Sequence, residues 1–551
     1  MAMRVLLTVL SVLLWANALH DVKAAGTSAI VYGLNEDNVD DVQTPEVDKV
    51  LAVARLRKVA EDTYALAPYL LGFLYEHGCV VPQDPRESAR WYRMAAEWGH
   101  ERAQFALGSM YYDGRGVPTD YRQAAKWVTK AAEQGHARAQ YNLGAMYYYG
   151  RCVPQDSGEA ATWFRKAAEQ HLAEAQRCLG WMYDFGRGVV QDDKKAVQWY
   201  QKAARQGYAQ AQYDLGLKYY HGRGMPRDDT KAMEWFLKAA EQGHAEAQYK
   251  LGVMIGRTEA VVQNNQEAVK WYRKAAEQGH AQAQHDLGVM YYNGAGVPRN
   301  DEDAAQWFRM AAEQGLAESQ GYLGVLYYYG RGVPKDHTEA AQWLTKAAER
   351  DVALAQDMLG RMYRRGEGVP RDYEEAIRWY TRAAERGHAQ AQHDLGRMYH
   401  IGLGVPGDRE LAAQWLIRSA EQGFAPAQCR LATIYLEDGS VLQDGRLAAM
   451  WFRKAAEQGY TPAQNTLGLM YHSGTGVGED RIEAYKWYVL AAMHGGEFTS
   501  FAQIARNLKE HLRRSMTPAQ IKGGQRRAWQ LLAMIDESPK KSGTSAEMAT
   551  E

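Results

Sequence analysis

The chain has 551 residues, of which 65 are basic and 66 are acidic, so its formal net charge is only −1. This balance gives no electrostatic case for nucleic-acid binding, which depends on clustered positive charge. The length alone would suggest three or four domains, but a fixed repeat further along the chain replaces that estimate.

The N-terminus has the pattern of a secretory signal peptide. Arg4 precedes an apolar run over residues 5–15, and Ala16-Asn17-Ala18 supplies a small-residue cleavage site. The run is shorter than the roughly 20 residues that a spanning helix needs. We predict cleavage after Ala18, with Ala24 or Ala25 as the alternative, and no membrane span after cleavage. The prediction is therefore an exported bacterial protein, either periplasmic or extracellular.

One tryptophan returns every 36 residues from position 91 onward, and a period of this size indicates a repeat array. The twelve copies are Trp91, Trp127, Trp163, Trp199, Trp235, Trp271, Trp307, Trp343, Trp379, Trp415, Trp451 and Trp487. The segments are predicted as follows: signal peptide 1–18, polar and disordered 19–43, N-terminal capping half-repeat 44–66, twelve repeats 67–496, C-terminal capping helices 497–537 and disordered tail 538–551. In the half-repeat Arg55 takes the place of the tryptophan, which suits a solvent-facing cap.

Each repeat is predicted to be a helical hairpin. In residues 103–136 a first helix runs to about Asp113, where Gly114 and Gly116 favour the left-handed conformations that end a helix. Asp120 follows as the N-cap of a second helix that ends at Gly135. The cap position is predicted in every copy: Asp84, Asp120, Asp156, Asp192, Asp228, Asn264, Asn300, Asp336, Asp372, Asp408, Asp444 and Asp480.

Small and large residues are predicted to share the core. A glycine in each first helix (the series Gly72, Gly108, Gly144, with Ala432 as the one replacement) permits close approach of the second helix. The repeating tryptophan, and the tyrosine three residues after that glycine, are predicted to fill the remaining space as core residues.

The cysteines do not follow the period. Cys79 and Cys152 lie in equivalent loops two repeats apart, farther than the ~7 Å between Cα atoms that a disulfide allows. A bridge between Cys152 and Cys178 stays open, and the alternative is that these three and Cys429 are all unpaired.

The repeat resembles the Sel-one-like repeat (SLR) family, a relative of the tetratricopeptide solenoids, through the motif A-x-A-Q-x-x-L-G-x-M-Y-x-x-G-x-G-V-P-x-D-x-x-x-A-x-x-W. The resemblance implies an all-α fold, an α-solenoid forming a right-handed superhelix of about twelve 36-residue helix-turn-helix repeats with helical caps. Two corners depart from the motif, Ile255-Gly256-Arg257-Thr258 and Glu437-Asp438-Gly439-Ser440. Since the spacing survives both, we expect local loop changes and no break in the array.

No motif for catalysis is present, so we predict no enzyme activity, no cofactor and no metal. The Gly-Arg-Gly-Val-Pro corners lack the GK[ST] of a phosphate loop. His100, His136, His244, His280 and His388 recur at the turn between hairpins and are interpreted as turn residues, not as metal ligands.

The binding surface is predicted on the variable arc of the first helices. With the repeated glycine as zero, positions −3, −2, +1, +4 and +5 share one side of the helix, the side that lines the concave groove in tetratricopeptide-like arrays. The candidate groove residues are Phe105, Tyr112, Tyr141, Tyr148, Trp181, Tyr213, Tyr220, Tyr249, Arg361, Arg364, Arg365, His393, Arg397 and His400. Aromatic residues and arginine commonly anchor interfaces. The alternative is that the tyrosines only pack laterally between hairpins and the arginines only face solvent.

These features predict a non-enzymatic scaffold or adaptor that binds other proteins in its groove, with the N-terminal part gripping an apolar segment and the C-terminal part accepting acidic groups. The resemblance supports this, because SLR proteins typically mediate complex assembly, envelope signalling or host contact. An envelope-glycan binding module, for peptidoglycan or exopolysaccharide, is the alternative, and a regulator of an envelope enzyme is the third possibility.

Overall fold

A computed structural model of the chain describes residues 53–54, 56–58, 60, 65–78, 81–257, 261–437, 443–494 and 500–537. All regular secondary structure in these ranges is helical, as predicted. The predicted signal peptide, the polar segment 19–43, the tail 538–551, Arg55 and Cys79 lie outside the described residues.

The chain divides into two units, Met1–Arg257 and Thr258–Glu551. The first contains α1 (Leu66–His77), α2 (Pro85–Glu97), α3 (Glu101–Asp113), α4 (Tyr121–Glu133), α5 (Ala137–Tyr149), α6 (Ser157–Glu169), α7 (Ala173–Phe185), α8 (Asp193–Arg205), α9 (Ala209–His221), α10 (Asp229–Glu241) and α11 (Ala245–Gly256). The second contains α12 (Val261–Glu277), α13 (Ala281–Asn293), α14 (Asp301–Glu313), α15 (Ala317–Tyr329), α16 (His337–Glu349), α17 (Ala353–Arg365), α18 (Tyr373–Glu385), α19 (Ala389–Ile401), α20 (Arg409–Glu421), α21 (Ala425–Leu436), α22 (Gly445–Glu457), α23 (Thr461–Ser473), α24 (Arg481–His494), α25 (Ser500–Arg513) and α26 (Pro518–Glu537).

Odd-numbered helices up to α23 are the first helices of repeats, and even-numbered helices up to α24 are the second helices. Within each unit, the two helices of a hairpin pack on each other, and each second helix packs on the first helix of the next repeat. Two further helices, α25 and α26, follow the last repeat, and both pack against α24.

The paired glycines of each corner have separate tasks. Gly114 (φ 69°) ends α3 in the left-handed region, and its N–H donates to the carbonyl of Met110. Gly116 (φ 69°) lies against the start of α2 so closely that a Cβ there would come within 1.9 Å of the Pro85 carbonyl oxygen. The second glycine therefore allows one repeat to approach the preceding one, and the next repeat has Cys152 (φ 67°) at the same position.

The aspartate caps are present where they were predicted, with one exception. Asp120 Oδ1, for example, accepts hydrogen bonds from the N–H groups of Arg122 at 2.9 Å and Gln123 at 3.0 Å. The cap predicted at Asn264 was wrong, because α12 begins at Val261 and Asn264 lies inside it. This corner carries neither the second glycine nor the proline of most corners, but the corner before Asp444 lacks both as well and keeps its cap. The boundary between the two units falls in the same corner, although α13 starts 36 residues after α11, in register.

The tryptophans are less buried than predicted. Trp91, Trp127, Trp271, Trp451 and Trp487 are buried, and the other seven are only half-buried. In most copies a basic side chain three residues later covers the indole, as Lys166 does for Trp163 with its Nζ 3.8 Å from the ring centroid. Such a cation–π contact suits a ring at the rim of the core.

The residue after the tryptophan fills the core instead. Phe164, Tyr200 and Phe308 are buried, and each lies against the glycine of the first helix in its own hairpin. A Cβ on Gly180 would lie 2.9 Å from the ring of Tyr200, which explains the glycine. The tyrosine three residues after the glycine is half-buried in most copies. Where the preceding repeat has an arginine 18 residues earlier, that arginine donates to the tyrosine hydroxyl, as Arg165 Nη2 does to Tyr183 at 3.1 Å.

A ladder of glutamines joins successive repeats. Gln140 Nε2 donates to the Ala132 carbonyl at 3.1 Å, and Gln170 Nε2 donates both to Gln140 Oε1 at 2.8 Å and to the Gly135 carbonyl at 2.7 Å. The pattern fails where arginine replaces the second glutamine, at positions 350 and 386. There Gln320 Oε1 and Gln356 Oε1 are buried and accept no hydrogen bond.

Candidate binding face of the first helices

The rings at position −3 pack between repeats. Phe105 stacks on His136 with ring centroids 4.9 Å apart, and Tyr213 stacks on His244 at the same distance. Tyr141 lies 5.6 Å from Phe164, and burial raises its pKa to about 12. These contacts correspond to the lateral-packing alternative, so position −3 offers little free ring surface in these copies.

The turn histidines are helix caps. His136 Nδ1 accepts a hydrogen bond from the N–H of Ala139 at 3.1 Å, and His100, His244, His280 and His388 do the same in their repeats. Burial lowers the pKa of His136, which favours the neutral ring that this bond requires.

Two groups of contacting aromatic rings, which meet at a shared cavity, lie on repeats two to four, and we call them together the aromatic patch. It combines three predicted residues, Tyr112, Tyr148 and Trp181, with three neighbours, Tyr121, Tyr149 and Phe185. Ring centroids are 5.6 Å apart for Tyr148 and Trp181 and 5.0 Å apart for Trp181 and Phe185. The two groups therefore present apolar surface across the ends of several helices.

Three of the six residues of the aromatic patch were not predicted from the sequence, and these three are the more exposed. Tyr121, Tyr149 and Phe185 are 55%, 64% and 58% exposed. Tyr149 and Phe185 occupy position +5, the last residue of a first helix, where the variable arc would have indicated them. Tyr121 begins a second helix, so no first-helix pattern could have found it.

A cavity of about 350 Å³ adjoins the patch between α3 and α5. Tyr112 and Tyr149 line it together with Asp113, Met146 and Arg151. The Arg151 guanidinium lies 5.4 Å from the Tyr149 ring centroid, so it covers part of one face of that ring. The cavity and the exposed rings offer a concave and a flat apolar surface next to each other.

Tyr220 and Tyr249 complete the predicted aromatic set. The Tyr220 hydroxyl accepts a hydrogen bond from Arg257 Nη1 at 2.9 Å, and its ring lies 5.0 Å from that of His221. Lys250 Nζ lies 5.8 Å from the centroid of Tyr249. Basic side chains therefore border both rings, and neither ring belongs to the aromatic patch.

The predicted basic surface of repeats nine and ten has internal partners. Arg361 is only 9% exposed; its Nη1 donates to the Tyr329 hydroxyl at 3.1 Å, and its Nη2 lies 3.7 Å from Asp357 Oδ2. Arg364 Nε donates to the Tyr380 hydroxyl at 3.5 Å. These arginines are therefore not the open groups that a simple acid-binding surface requires.

Two buried carboxylates explain this arrangement. Burial raises the pKa of Asp357 to about 7, against the opposing charge of Arg361. Burial also acts on Asp394, but His393 and Arg397, each with a nitrogen 3.6 Å from Asp394 Oδ1, hold its pKa well below the usual range. Replacing these arginines by glutamate would leave buried acids without counter-ions, so such variants would not test binding alone.

The remaining two candidates also have partners. His400 Nε2 lies 3.1 Å from Glu437 Oε1, and Arg365 Nη1 donates to the Tyr328 hydroxyl at 3.2 Å. Arg365 is exposed.

Cys152, Cys178 and Cys429 are free thiols, so the structure answers the open question of a Cys152–Cys178 bridge in the negative. Within the described ranges, no group of three or more His, Cys, Asp or Glu is placed to hold a metal ion, and no helix is long and apolar enough to cross a membrane.

Stacked helical hairpins of constant length define the class of tetratricopeptide-like α-solenoid repeat proteins. Within that class the chain belongs to the Sel1 repeat proteins, whose repeat matches residues 65–100, 101–136, 137–172, 173–208, 209–244, 245–280, 281–316, 317–352, 353–388, 389–424, 425–460 and 461–496. Sel1 repeat proteins are generally scaffolds for protein interaction and are typically not enzymes.

Two solved structures are similar to the chain. One is c5321, a protective antigen of uropathogenic Escherichia coli strains with an SLR fold: identity is 34%, the TM-score is 0.75, and the match covers 83% of this chain and 98% of that one. The other is a Sel1 repeat protein from Oxalobacter formigenes, with 32% identity, a TM-score of 0.34, and coverage of 67% and 98%. No curated protein matches the chain at a significant level.

Proposed function

We propose that this protein is a non-enzymatic adaptor that captures a partner protein on the aromatic patch of repeats two to four. The observation that carries the proposal is the exposure of Tyr121, Tyr149 and Phe185 beside a cavity of about 350 Å³. Exposed rings in one contiguous apolar surface mark interaction sites, and aromatic residues are enriched among the residues that dominate binding energy. The partner is a segment with apolar side chains that enter the cavity.

We further propose that the adaptor acts in the bacterial envelope or outside the cell. The support is the signal-peptide pattern of residues 1–18 and the similarity to a protein described as a protective antigen. A protective antigen has to meet antibodies, which suits an exported relative. Fractionation of the producing cells checks this, because a protein retained in the cytoplasm with its first 18 residues would contradict export.

Capture by patch variants tests the adaptor proposal. The Tyr149→Ala/Phe185→Ala double variant should lose at least tenfold in recovery of the partner from envelope extracts, because interface aromatics of this kind contribute ~2 kcal/mol or more. Trp98→Ala removes an exposed ring outside the patch and is the matched control, which should capture the partner as the unaltered protein does. Equal capture by all three proteins would contradict the proposal.

A glycan remains the alternative ligand for the same rings, since exposed aromatic faces also stack on sugars. Sedimentation of the protein with purified peptidoglycan separates the two functions. Co-sedimentation that Tyr149→Ala/Phe185→Ala abolishes, without any captured protein, would establish the glycan-binding function in place of the adaptor function.

A further inference from the structure

A second cavity, of about 270 Å³, lies in the unit Thr258–Glu551 among α17, α19 and the start of α21. Its walls include the apolar side chains Leu354, Met358 and Phe424 and the polar side chains Asp357, Arg361 and His388. It therefore combines one acid and one arginine with an apolar surface, and none of its lining residues belongs to the aromatic patch.

The cavity exists because a small residue stands where other repeats have a ring. Asp357 occupies position −3, where Phe105 and Tyr213 stack on the turn histidine of the next repeat at 4.9 Å. The turn histidine is kept here as His388, but the ring that would cover it is missing. The space that a phenyl ring fills elsewhere is thus open beside His388.

Asp357 is an incompletely paired acid in this space. It is 2% exposed, and its Oδ1 accepts no hydrogen bond. His388 Nδ1 lies 3.9 Å from that oxygen but already accepts the N–H of Ala391 at 3.3 Å, so the two facing atoms are both acceptors. A hydrogen-bond donor beside Asp357 Oδ1 would therefore satisfy an acceptor that the protein leaves unpaired.

Arg361 is close to the acid without satisfying it. The 3.7 Å between Arg361 Nη2 and Asp357 Oδ2 exceeds hydrogen-bond length. Asp357 and Asp394 stand at positions −3 and −2 of successive repeats, where repeats four and five instead hold Arg177 and Asp214, an ion pair that closes at 2.8 Å. The acid and the arginine at the cavity are adjacent, buried and not bonded to each other.

We propose that this cavity binds the zwitterionic head of an apolar α-amino acid, with the ammonium group on Asp357 and the carboxylate on Arg361. The side chain of the amino acid then packs on Leu354, Met358 and Phe424. A lone amine would meet the charge of Arg361, and a lone carboxylate would meet that of Asp357, whereas the zwitterion matches both. One carbon separates the two charged groups of an α-amino acid, which fits an acid and an arginine placed side by side.

Calorimetric titration of the full chain tests the ligand class. We expect L-leucine or L-phenylalanine to bind, and two analogues of leucine to bind at least tenfold more weakly: 3-methylbutylamine, which lacks the carboxylate, and 4-methylpentanoate, which lacks the amine. Binding of one analogue as tight as that of leucine would reassign the site to a simple amine or a simple carboxylate. No heat with any of these compounds would overturn the proposal.

Two variants test the site. Asp357→Arg reproduces the Arg177–Asp214 pair opposite Asp394 and fills the cavity, so it should abolish amino-acid binding in a folded protein. Asp357→Asn keeps the shape and removes the charge, and should weaken binding at least tenfold even if the arginine variant does not fold. Arg378→Ala, which removes an exposed arginine outside the cavity, is the control with unchanged binding. Unaltered amino-acid binding by Asp357→Asn would overturn the proposal. The same variant should still capture the partner protein through the aromatic patch, so failure of one proposal is distinguishable from failure of the other.

Discussion

The side chain that packs against the first-helix glycine belongs to the residue after the repeating tryptophan, and in most hairpins it is a ring. Phe164 is buried against the glycine of α5, at a distance that leaves no room for a Cβ. Trp163 is rotated by about 100° around the helix and lies at the edge, under Lys166. The two neighbouring aromatics therefore contribute differently to stability.

Alanine substitutions in one hairpin measure that difference. Phe164→Ala should lower the free energy of unfolding by ~3–4 kcal/mol, because it empties a fully packed site. Trp163→Ala should cost roughly half as much, since the indole is partly solvated and loses mainly rim packing and a cation–π contact of about 0.5–1 kcal/mol. Urea unfolding of the two variants checks this, and a larger loss for Trp163→Ala would contradict the assignment of the core ring.

At the scale of single residues, the sequence showed which positions repeat, but it did not show which side chains point into the core. The period pointed to Trp163 because it never changes, whereas the adjacent core position varies among Phe, Tyr, Leu and Val. The pairing of Arg361 with Asp357 was also hidden, because both look like ordinary surface residues of one helix. Their burial depends on α15, α18 and α19, which only the packed structure brings together.

The second helix of one hairpin is tied to the next hairpin by the glutamine ladder and the turn cap. Gln170 donates to Gln140 of its own hairpin and to the Gly135 carbonyl of the preceding one, and Gln140 donates to the Ala132 carbonyl of the preceding hairpin. Arg350 interrupts the ladder: it binds the Gly315 carbonyl but leaves Gln320 Oε1 without a donor. A buried acceptor left unpaired costs about 1–3 kcal/mol.

Arg350→Gln should therefore stabilise the protein. The new glutamine can reach both Gly315 and Gln320, as Gln170 reaches Gly135 and Gln140, so we expect a gain of about 1 kcal/mol. The reverse change, Gln170→Arg, should destabilise by a similar amount. Thermal and urea unfolding measure both, and a stabilising Gln170→Arg would show that the ladder has no energetic role.

The histidine caps make stability depend on pH. Burial lowers the pKa of His100, His136 and His244 in the folded chain, so the unfolded chain binds protons at these sites more readily. Stability should therefore fall as the pH drops below about 6.5, the usual histidine value. The triple His→Asn variant keeps a capping acceptor and should lose stability less steeply between pH 6.5 and 5. An identical slope for both proteins would contradict the role of the caps.

Element boundaries were predictable where turn chemistry was complete. Paired glycines, proline and aspartate located the ends of most helices, because each residue type has a direct conformational consequence. The prediction failed at Asn264, where the second helix starts early at Val261, whereas Asp444 keeps its cap although its corner also lacks the second glycine and the proline. A cap residue alone does not start a helix when the preceding residues can already be helical.

At the scale of the whole molecule, the repeats share the same core residues but differ in the residues on the variable arc of their first helices. The repeats of the unit Met1–Arg257 include the aromatic patch, with its exposed rings, whereas the basic residues of repeats nine and ten are mainly counter-ions of buried acids. The candidate partner surface is therefore concentrated in repeats two to four. Five of the six patch residues lie on the arc that the sequence indicated, although only three of them were named, because the sequence could not distinguish an exposed ring from one packed between repeats.

The most direct test places a photo-crosslinking residue at position 149, inside the aromatic patch, in cells that produce the protein. The matched control places it at position 126, an exposed site on the second helix α4. The adaptor account predicts a discrete protein adduct from position 149 that is absent from position 126 and is lost on adding Phe185→Ala. Identical adducts from both positions, or none from position 149, would contradict it.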